Sequence, residues 1–429
     1  MNPPEKTCSG LMYIDMAYTV DRVRERHQER FLEARHSAGF FRRVWGVHPL
    51  ADAVGKPPYN IDFIRFTPRQ LVIEGVATFY RLPRFLLPLN FLLSQWKLFR
   101  ILERLIRKHD IPILAATDSV YAGLLALMLK RRTGRPLAVA VYSNQDDLYA
   151  ATGALAMPRL LPFRWLERLV ARAVLSNADV VMAGNRNNLQ YALNNGATGD
   201  TAIIPVARNT EAIHFVDPKE RETPDGFLEE RGIPTGRPAM LYVGRLLELK
   251  HPDSAVRAMA QVIERRPEAI GLLAGGGPMQ PALEALVEEL GMAGRIHFLG
   301  QIDQVALSRL IPHCLTVSPL TGMALIECGL GGSPIVAFDR DWQAEFVEDG
   351  ANGFIVPFLD EKAMADRLLA LFEDAELRER MSRTARQRAL DFADVDRIFA
   401  QEQAVFSRLL TSRSRESEGA PTARSGILV

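Results

Sequence analysis

The sequence predicts an α/β protein made of two Rossmann-like, doubly wound domains in tandem. Length is the first reason: 429 residues exceed what one hydrophobic core usually organises, and each half can bury a core of its own. A regular pattern after residue 238 is the second, short continuous apolar runs separated by amphipathic stretches. Strands that are apolar throughout belong to parallel sheets covered on both faces. The first half repeats this logic more loosely, which is the third reason.

In the first half the strand candidates are "LMYIDM", "VWGVHP", "IDFIRF", "IPILAAT", "LAVAVYS" and "ADVVMAG". Residues 203–237, rich in proline and charge, read as a linker with a short helix, so the first domain is expected over 1–206 and the second over 207–385. The second-half strands are "AMLYVG", "IGLLAGGG", "IHFLG", "CLTVSP", "PIVAF" and "GFIVP", with "DSAVRAMAQVIERR" and "MQPALEALVEELG" as covering helices. The final residues 412–429 are polar without apolar periodicity and read as a disordered tail.

The composition is that of an ordinary globular protein: 48% hydrophobic, 24% charged, formal net charge +1. Nothing in that balance points to nucleic acid. Cys8, Cys314 and Cys328 have neither metal-ligand spacing nor obvious pairing, which suits a reducing compartment. The N-terminal residues lack a basic flank before an apolar core, and no apolar run reaches the roughly 20 residues of a membrane span. A cytoplasmic protein is expected, with no metal and no cofactor.

One carboxylate stands out in "TGMALIECGLGGSPIVAFD", residues 321–339, where Glu327 sits among small and apolar residues. In open α/β sheets ligands bind at the carboxyl ends of strands, where helix N-termini offer unpaired N–H groups. With "CLTVSP" as strand and "GMALIECGL" as helix, Gly322 lets a diphosphate approach the amides of Met323 and Ala324. Glu327, one turn on, can then hold a sugar diol. An acid favoured by the helix dipole explains the same residue without a ligand, and spacing leaves both readings open.

The ordered set "LYVGRLLELK", "AGGGPM", "HFLG", "IECGLGGSPIVAFD" and "EDGANGFIVP" resembles the donor half of the retaining glycosyltransferases of family four, the glycosyltransferase group 1 enzymes. The resemblance is tight over roughly 120 residues of the 238–357 segment and extends loosely into the first half. It implies the GT-B fold, two Rossmann-like domains facing a central cleft, and a C-terminal helix at 386–411 that crosses back to the first domain. It further implies transfer of a sugar from a nucleotide sugar to an acceptor with retention of configuration. Arg245 and Lys250 match the pair that holds the donor diphosphate, and they would stabilise the leaving group without a metal. Glu327 matches the ribose-binding glutamate, and Gly276 and Ile302 fall on the donor side. The Gly275–Met279 run reads equally as a tight turn closing a strand. Asp339-Arg340-Asp341 imitates the metal-binding acids of the other large glycosyltransferase fold but lies in the wrong context for it.

Two departures bear on function. A first glutamate, eight positions before Glu327, is replaced by Pro319, so main-chain amides and Thr321 are expected to hold the donor sugar. The N-terminal glycine pair and the usual histidine give way to "DMAYT" and "VYSNQDD". Asp118, Tyr142, Ser143, Asn144, Asp146 and His48, with His36, are then the acceptor-side candidates. The acceptor is unnamed, a lipid-linked or polysaccharide precursor of the cell envelope being one option. A nucleotide-sugar 2-epimerase and a nucleotide-sugar-binding pseudoenzyme are alternative readings. A phosphorylase-like enzyme would need a pyridoxal lysine that the sequence does not display. Finally, "RLPRFLLPLNFLLSQWKLFRILERLIRK", residues 81–108, interleaves leucines and aromatics with arginines. It suits an interfacial helix on an anionic membrane face, or a helix that packs its apolar side on the first sheet.

Overall fold

The computed structural model describes residues 8–16, 19–25, 29–158, 160–205, 215 and 225–418. The first seven residues, Ala17 and Tyr18 of "DMAYT", most of the expected linker and residues 419–429 of the expected tail lie outside them. The chain divides into two compact units: residues 1–209 with 396–429, and residues 210–395.

Eight strands form the sheet of the first unit: β1 (Leu11–Ile14), β2 (Val44–His48), β3 (Asp62–Thr67), β4 (Gln70–Glu74), β5 (Ile113–Ala116), β6 (Leu137–Val141), β7 (Val180–Ala183) and β8 (Asp200–Ile203). Their order is β3-β4-β2-β1-β5-β6-β7-β8. All pairs are parallel except the hairpin of β3 with β4. Leu11 registers with Val44 on one side and Ile113 on the other, so the direction of winding changes at β1. Two of these strands, β4 and β8, are not among the sequence candidates. β8, "DTAI", is short, polar and half exposed, as an edge strand can be, and it takes the first residue assigned to the linker.

The second unit has β9 (Ala239–Val243), β10 (Ile270–Ala274), β11 (Ile296–Gly300), β12 (Cys314–Ser318), β13 (Ile335–Phe338) and β14 (Gly353–Val356). All six are parallel in the order β11-β10-β9-β12-β13-β14. Numbered within the unit this is 3-2-1-4-5-6, the dinucleotide-fold order, whose switch point lies between β9 and β12. β9, β10, β12 and β13 are buried along their full length, because helices cover both faces; this is why they read as unbroken apolar runs.

The C-terminal segment differs from expectation in its bounds. Residues 386–411 straddle two helices, Ala375–Phe392 in the second unit and Val395–Glu418 in the first. The return to the first unit therefore starts at 396, and the helix runs on to Glu418 rather than stopping at 411. Phe406 meets Phe41 edge to face at 5.0 Å, and Gln403 Nε2 donates to the Ser37 carbonyl at 2.8 Å.

Candidate functional site

The switch point of the second sheet carries the sequence-predicted cations. β9 ends at Val243, and the turn after it is held from beneath by Tyr242, whose buried hydroxyl donates to the Arg245 carbonyl at 3.0 Å. On its other side lies the glycine run after β10. Leu246 N donates to Gly276 O at 3.1 Å, and a Cβ on Gly277 would stand 2.3 Å from Leu246 O. The glycines thus let two backbones touch, which gives the run a structural task. Gly276 itself faces open space.

Lys250 ends a short 3-10 helix, Glu248–Lys250, just before helix Pro252–Arg265. Its ammonium lies beside the β12 loop: a Cβ on Gly322 would be 3.3 Å from Lys250 Nζ. With φ at +74°, Gly322 also occupies the left-handed region that other residues avoid. Burial lowers the Lys250 pKa, the Asp341 charge raises it, and Arg245 lowers it further. Among the described residues neither Arg245 nor Lys250 makes an ion pair or a side-chain hydrogen bond. The amides of Gly322, Met323 and Ala324 likewise find no acceptor among the described residues, whereas Leu325 and Ile326 donate back to Gly322 and Met323. Two cations and a set of free N–H groups converge on one loop, an arrangement suited to an anion.

Glu327 lies on helix Ala324–Leu330 and is half-buried. Burial raises its pKa; Gln304 Nε2, donating to its Oε1 at 2.8 Å, opposes that rise. Gln304 was not legible as a site residue. It opens helix Gln304–Leu310, whose N-cap Asp303 follows half-buried Ile302, on the crossover from β11 to β12.

The loop that replaces the first glutamate is tied down by a second unforeseen residue, Gln343. Its fully buried amide donates to Pro319 O at 2.8 Å and Phe338 O at 3.0 Å, and its Oε1 accepts from Ser318 Oγ at 2.6 Å. Because the Ser318 proton goes to Gln343, Thr321 must donate to Ser318 Oγ, 2.7 Å away. Buried Thr321 therefore has only acceptor capacity left, which narrows its expected role toward the donor sugar.

In the first unit most acceptor-side candidates have structural partners. Asn144 caps helix Gln145–Thr152 by accepting from the amides of Asp146 and Asp147. Asp146 pairs with Arg164 and accepts from Asn195 Nδ2 at 3.1 Å, and Ser143 Oγ accepts from Gln145 Nε2 at 2.8 Å. Tyr142 is half-buried and has interactions of its own. Asp118 accepts from the amides of Val120 at 2.7 Å and Ala122 at 3.2 Å ahead of helix Tyr121–Thr133, and burial pushes its pKa up to about 6. Asp15, after β1, pairs with Arg35, and Glu74, at the end of β4, with Lys56 at 3.4 Å. His48 is the exception: it is 2% exposed, and neither ring nitrogen has a side-chain hydrogen-bond partner among the described residues. Burial lowers its pKa while Asp15 and Glu74 raise it. His36 is half-buried, its Nδ1 has no side-chain partner among the described residues, and burial lowers its pKa too.

Residues 226–388 match the family model for glycosyl transferases group 1. The second unit therefore carries a glycosyl transferases group 1 domain. Alpha-D-kanosaminyltransferase of Streptomyces kanamyceticus is 27% identical over 297 residues, 66% of this chain and 73% of that protein. D-inositol 3-phosphate glycosyltransferase of Nocardia farcinica is 34% identical over 176 residues, 38% of this chain and 39% of that protein. Among solved structures, sucrose-phosphate synthase from Thermosynechococcus elongatus superposes with a TM-score of 0.68 at 20% identity, over 94% of this chain and 100% of that one. HepE of Anabaena in complex with UDP-glucose gives 0.67 at 16%, over 93% and 99%. At these identities the likeness establishes the fold: the chain has the GT-B architecture of two Rossmann-like domains.

Proposed function

We propose that this protein moves a sugar from a nucleotide-sugar donor to an acceptor hydroxyl with retention of configuration. The observation that carries the reading is the pair of unpaired cations, Arg245 and half-buried Lys250, beside free amides at the switch point of the second sheet. An ammonium desolvated without an ion-pair partner is costly, and a diphosphate offsets that cost. In this reading the two cations and the 322–324 amides hold the diphosphate and take up the charge that develops as it departs. Glu327 accepts from the nucleotide ribose. The donor's nucleotide and sugar, and the acceptor, follow from experiment.

A second reading, a binding protein without transfer activity, is favoured by one observation. Where the resemblance expects a glutamate, Pro319 stands with its carbonyl bound to Gln343, so no carboxylate reaches the donor sugar from this loop.

A thermal-shift screen of nucleoside diphosphates and nucleotide sugars tests the first reading, because a ligand of the native state raises the melting temperature by mass action. Binding followed by release of nucleotide in the presence of acceptor extracts supports transfer. Binding without turnover selects the second reading, and turnover of the sugar nucleotide without any acceptor selects the epimerase. No stabilisation by any nucleotide overturns all three.

A further inference from the structure

The helix Leu87–Lys108 has two unlike halves. From Leu98 onward it is an ordinary surface helix: Leu98, Leu102 and Ile106 are buried, and Arg104, Arg107 and Lys108 face solvent. In the first three turns the pattern is inverted. The buried side chains there are polar, Asn90 and Ser94, which bind the backbone of the preceding loop. Asn90 Oδ1 accepts from Tyr80 N at 3.0 Å, and Ser94 Oγ accepts from Phe79 N at 2.9 Å. The exposed side chains are apolar: Leu92 is 64% exposed and Trp96 57%, with Leu87, Leu89 and Leu93 beside them and Phe85, 81% exposed, just ahead. The charges in this stretch have one sign. Arg81, Arg84, Lys97 and Arg100 occur between Gly75 and Leu102, and no Asp or Glu does.

A second exposed patch starts the helix Arg164–Leu175. Phe163 and Trp165 stack at 6.2 Å, and Leu169 and Arg168 stand exposed one turn on. Helix Leu87–Lys108 packs on helix Tyr121–Thr133, which packs on helix Arg164–Leu175, so the three form one layer. Each leads back from a strand's carboxyl end to the next parallel strand's start, so each begins toward the carboxyl edge of the sheet. Both patches therefore flank one edge, the edge of the first unit that carries Asp118, Asn144 and His48.

We propose that the first unit docks on an anionic lipid bilayer through this edge, with the leucines and aromatic rings in the headgroup boundary and the arginines on lipid phosphates. Exposed leucine and tryptophan interleaved with cations is the pattern of an interfacial element. A second copy of the chain would bring Arg81, Arg84 and Lys97 of each copy face to face with no acid in the 76–101 stretch to offset them, and that repulsion disfavours a dimer here. No described helix is long and apolar enough to cross a membrane, so the contact is peripheral. The proposal goes beyond the transfer reaction and holds or fails independently of the donor site.

Co-sedimentation of the full chain with vesicles tests it, using phosphatidylcholine alone and phosphatidylcholine mixed with phosphatidylglycerol, at low and high salt. The expected result is pelleting with the anionic vesicles at low salt, weakened at least about tenfold by high salt or by removal of the anionic lipid. The double substitution Leu92→Glu/Trp96→Glu should abolish pelleting with the melting temperature unchanged, since both side chains are exposed. The reversal Arg81→Glu/Arg84→Glu should weaken it through charge alone. Absence of pelleting at low salt, or pelleting indifferent to both double variants, overturns the proposal. So does a dimer in sedimentation velocity that Leu92→Glu/Trp96→Glu splits, which would assign the patch to a second copy.

Discussion

The carboxyl edges of the two sheets carry similar polar inventories and use them differently. In the first unit the charges are tied to one another or to backbone: Asp15 to Arg35, Glu74 to Lys56, Asp146 to Arg164, Asn144 to a helix start. In the second, Arg245 and Lys250 have no ion-pair partner among the described residues, and Lys250 bears the cost of partial burial. A charge that is paired explains itself as structure, whereas a half-buried charge left unpaired implies a ligand. On this comparison, substitutions at the second edge should remove function and keep the fold. Those at the first edge should disturb the fold as well.

The largest effect is expected from Lys250→Ala and Arg245→Ala. Each should lower turnover about a hundredfold or more, about 3 kcal/mol of transition-state stabilisation, the scale found for removing one preorganised donor. Stability should respond the other way. Because burial holds the Lys250 pKa below its unfolded value, the charged form costs the free protein stability at neutral pH, and that cost fades as pH rises toward the unfolded pKa. Lys250→Ala should therefore melt at or above the wild-type temperature. Turnover assays beside differential scanning calorimetry decide the matter, and an unimpaired rate in either variant removes the cations from the mechanism.

The first edge has its own electrostatic signature in Asp118. Burial raises its pKa from 3.8 to about 6, with Asp15's charge adding to the rise. The native state therefore holds the proton more tightly, and the associated stability is present below pH 3.8 and lost as pH passes through 6. Asp118→Asn keeps an oxygen for the Val120 and Ala122 amides and removes the ionisation. It should gain about 2 to 3 kcal/mol on the wild type between pH 4 and pH 7.5, since one pKa unit is about 1.4 kcal/mol. Urea titrations at both pH values measure the difference. A gap that does not change with pH would mean that Asp118 is not desolvated.

These contrasts also explain what the sequence could say. The second sheet was legible because fully buried parallel strands are continuous apolar runs, and because Arg245, Lys250, Gly322 and Glu327 stand at fixed steps after strand ends. Gln304 and Gln343 were not, since each acts through a fold contact across 23 or 25 residues of chain, to Glu327 and Ser318, that no local spacing announces. β8 escaped notice because an edge strand can be short and polar. The helix at 87–108 reads from sequence as packing or interface; its second half buries apolar side chains and its first half exposes them, and a single averaged amphipathicity hides the inversion.

A smaller effect is expected at Asp146, where the comparison can be broken. If its bonds to Arg164 and Asn195 are its role, Asp146→Ala should destabilise the protein by about 1 to 2 kcal/mol, as the loss of a partly exposed, hydrogen-bonded pair does. KM for the nucleotide sugar should not change. A variant of wild-type stability with a raised KM for the acceptor would move Asp146 from scaffold to acceptor site and weaken the distinction between the two edges.

The smallest effect, and the one that sharpens the comparison most, is expected at Gln304. Gln304 commits one oxygen of Glu327 and leaves the other for a ligand, while its donation counters the upward push of burial on the carboxyl pKa. Gln304→Leu removes one hydrogen bond to a charged group, so nucleotide affinity should fall about tenfold, about 1.4 kcal/mol. Because the pKa of Glu327 then rises, the loss should deepen as pH is lowered, more steeply than in the wild type. If Glu327 accepts from the ribose, the wild type should discriminate against the 2′-deoxy and 3′-deoxy forms of its nucleotide, and Glu327→Ala should lose most of that discrimination. Gln304→Leu should fall between them, with turnover at saturating donor nearly unchanged because the ribose is held alike in the ground and transition states. Calorimetric titration with the three nucleotides separates positioning from mere support of the fold. A Glu327→Ala protein that keeps the full ribose-to-deoxyribose ratio would leave the carboxylate with the helix dipole as its reason to be there.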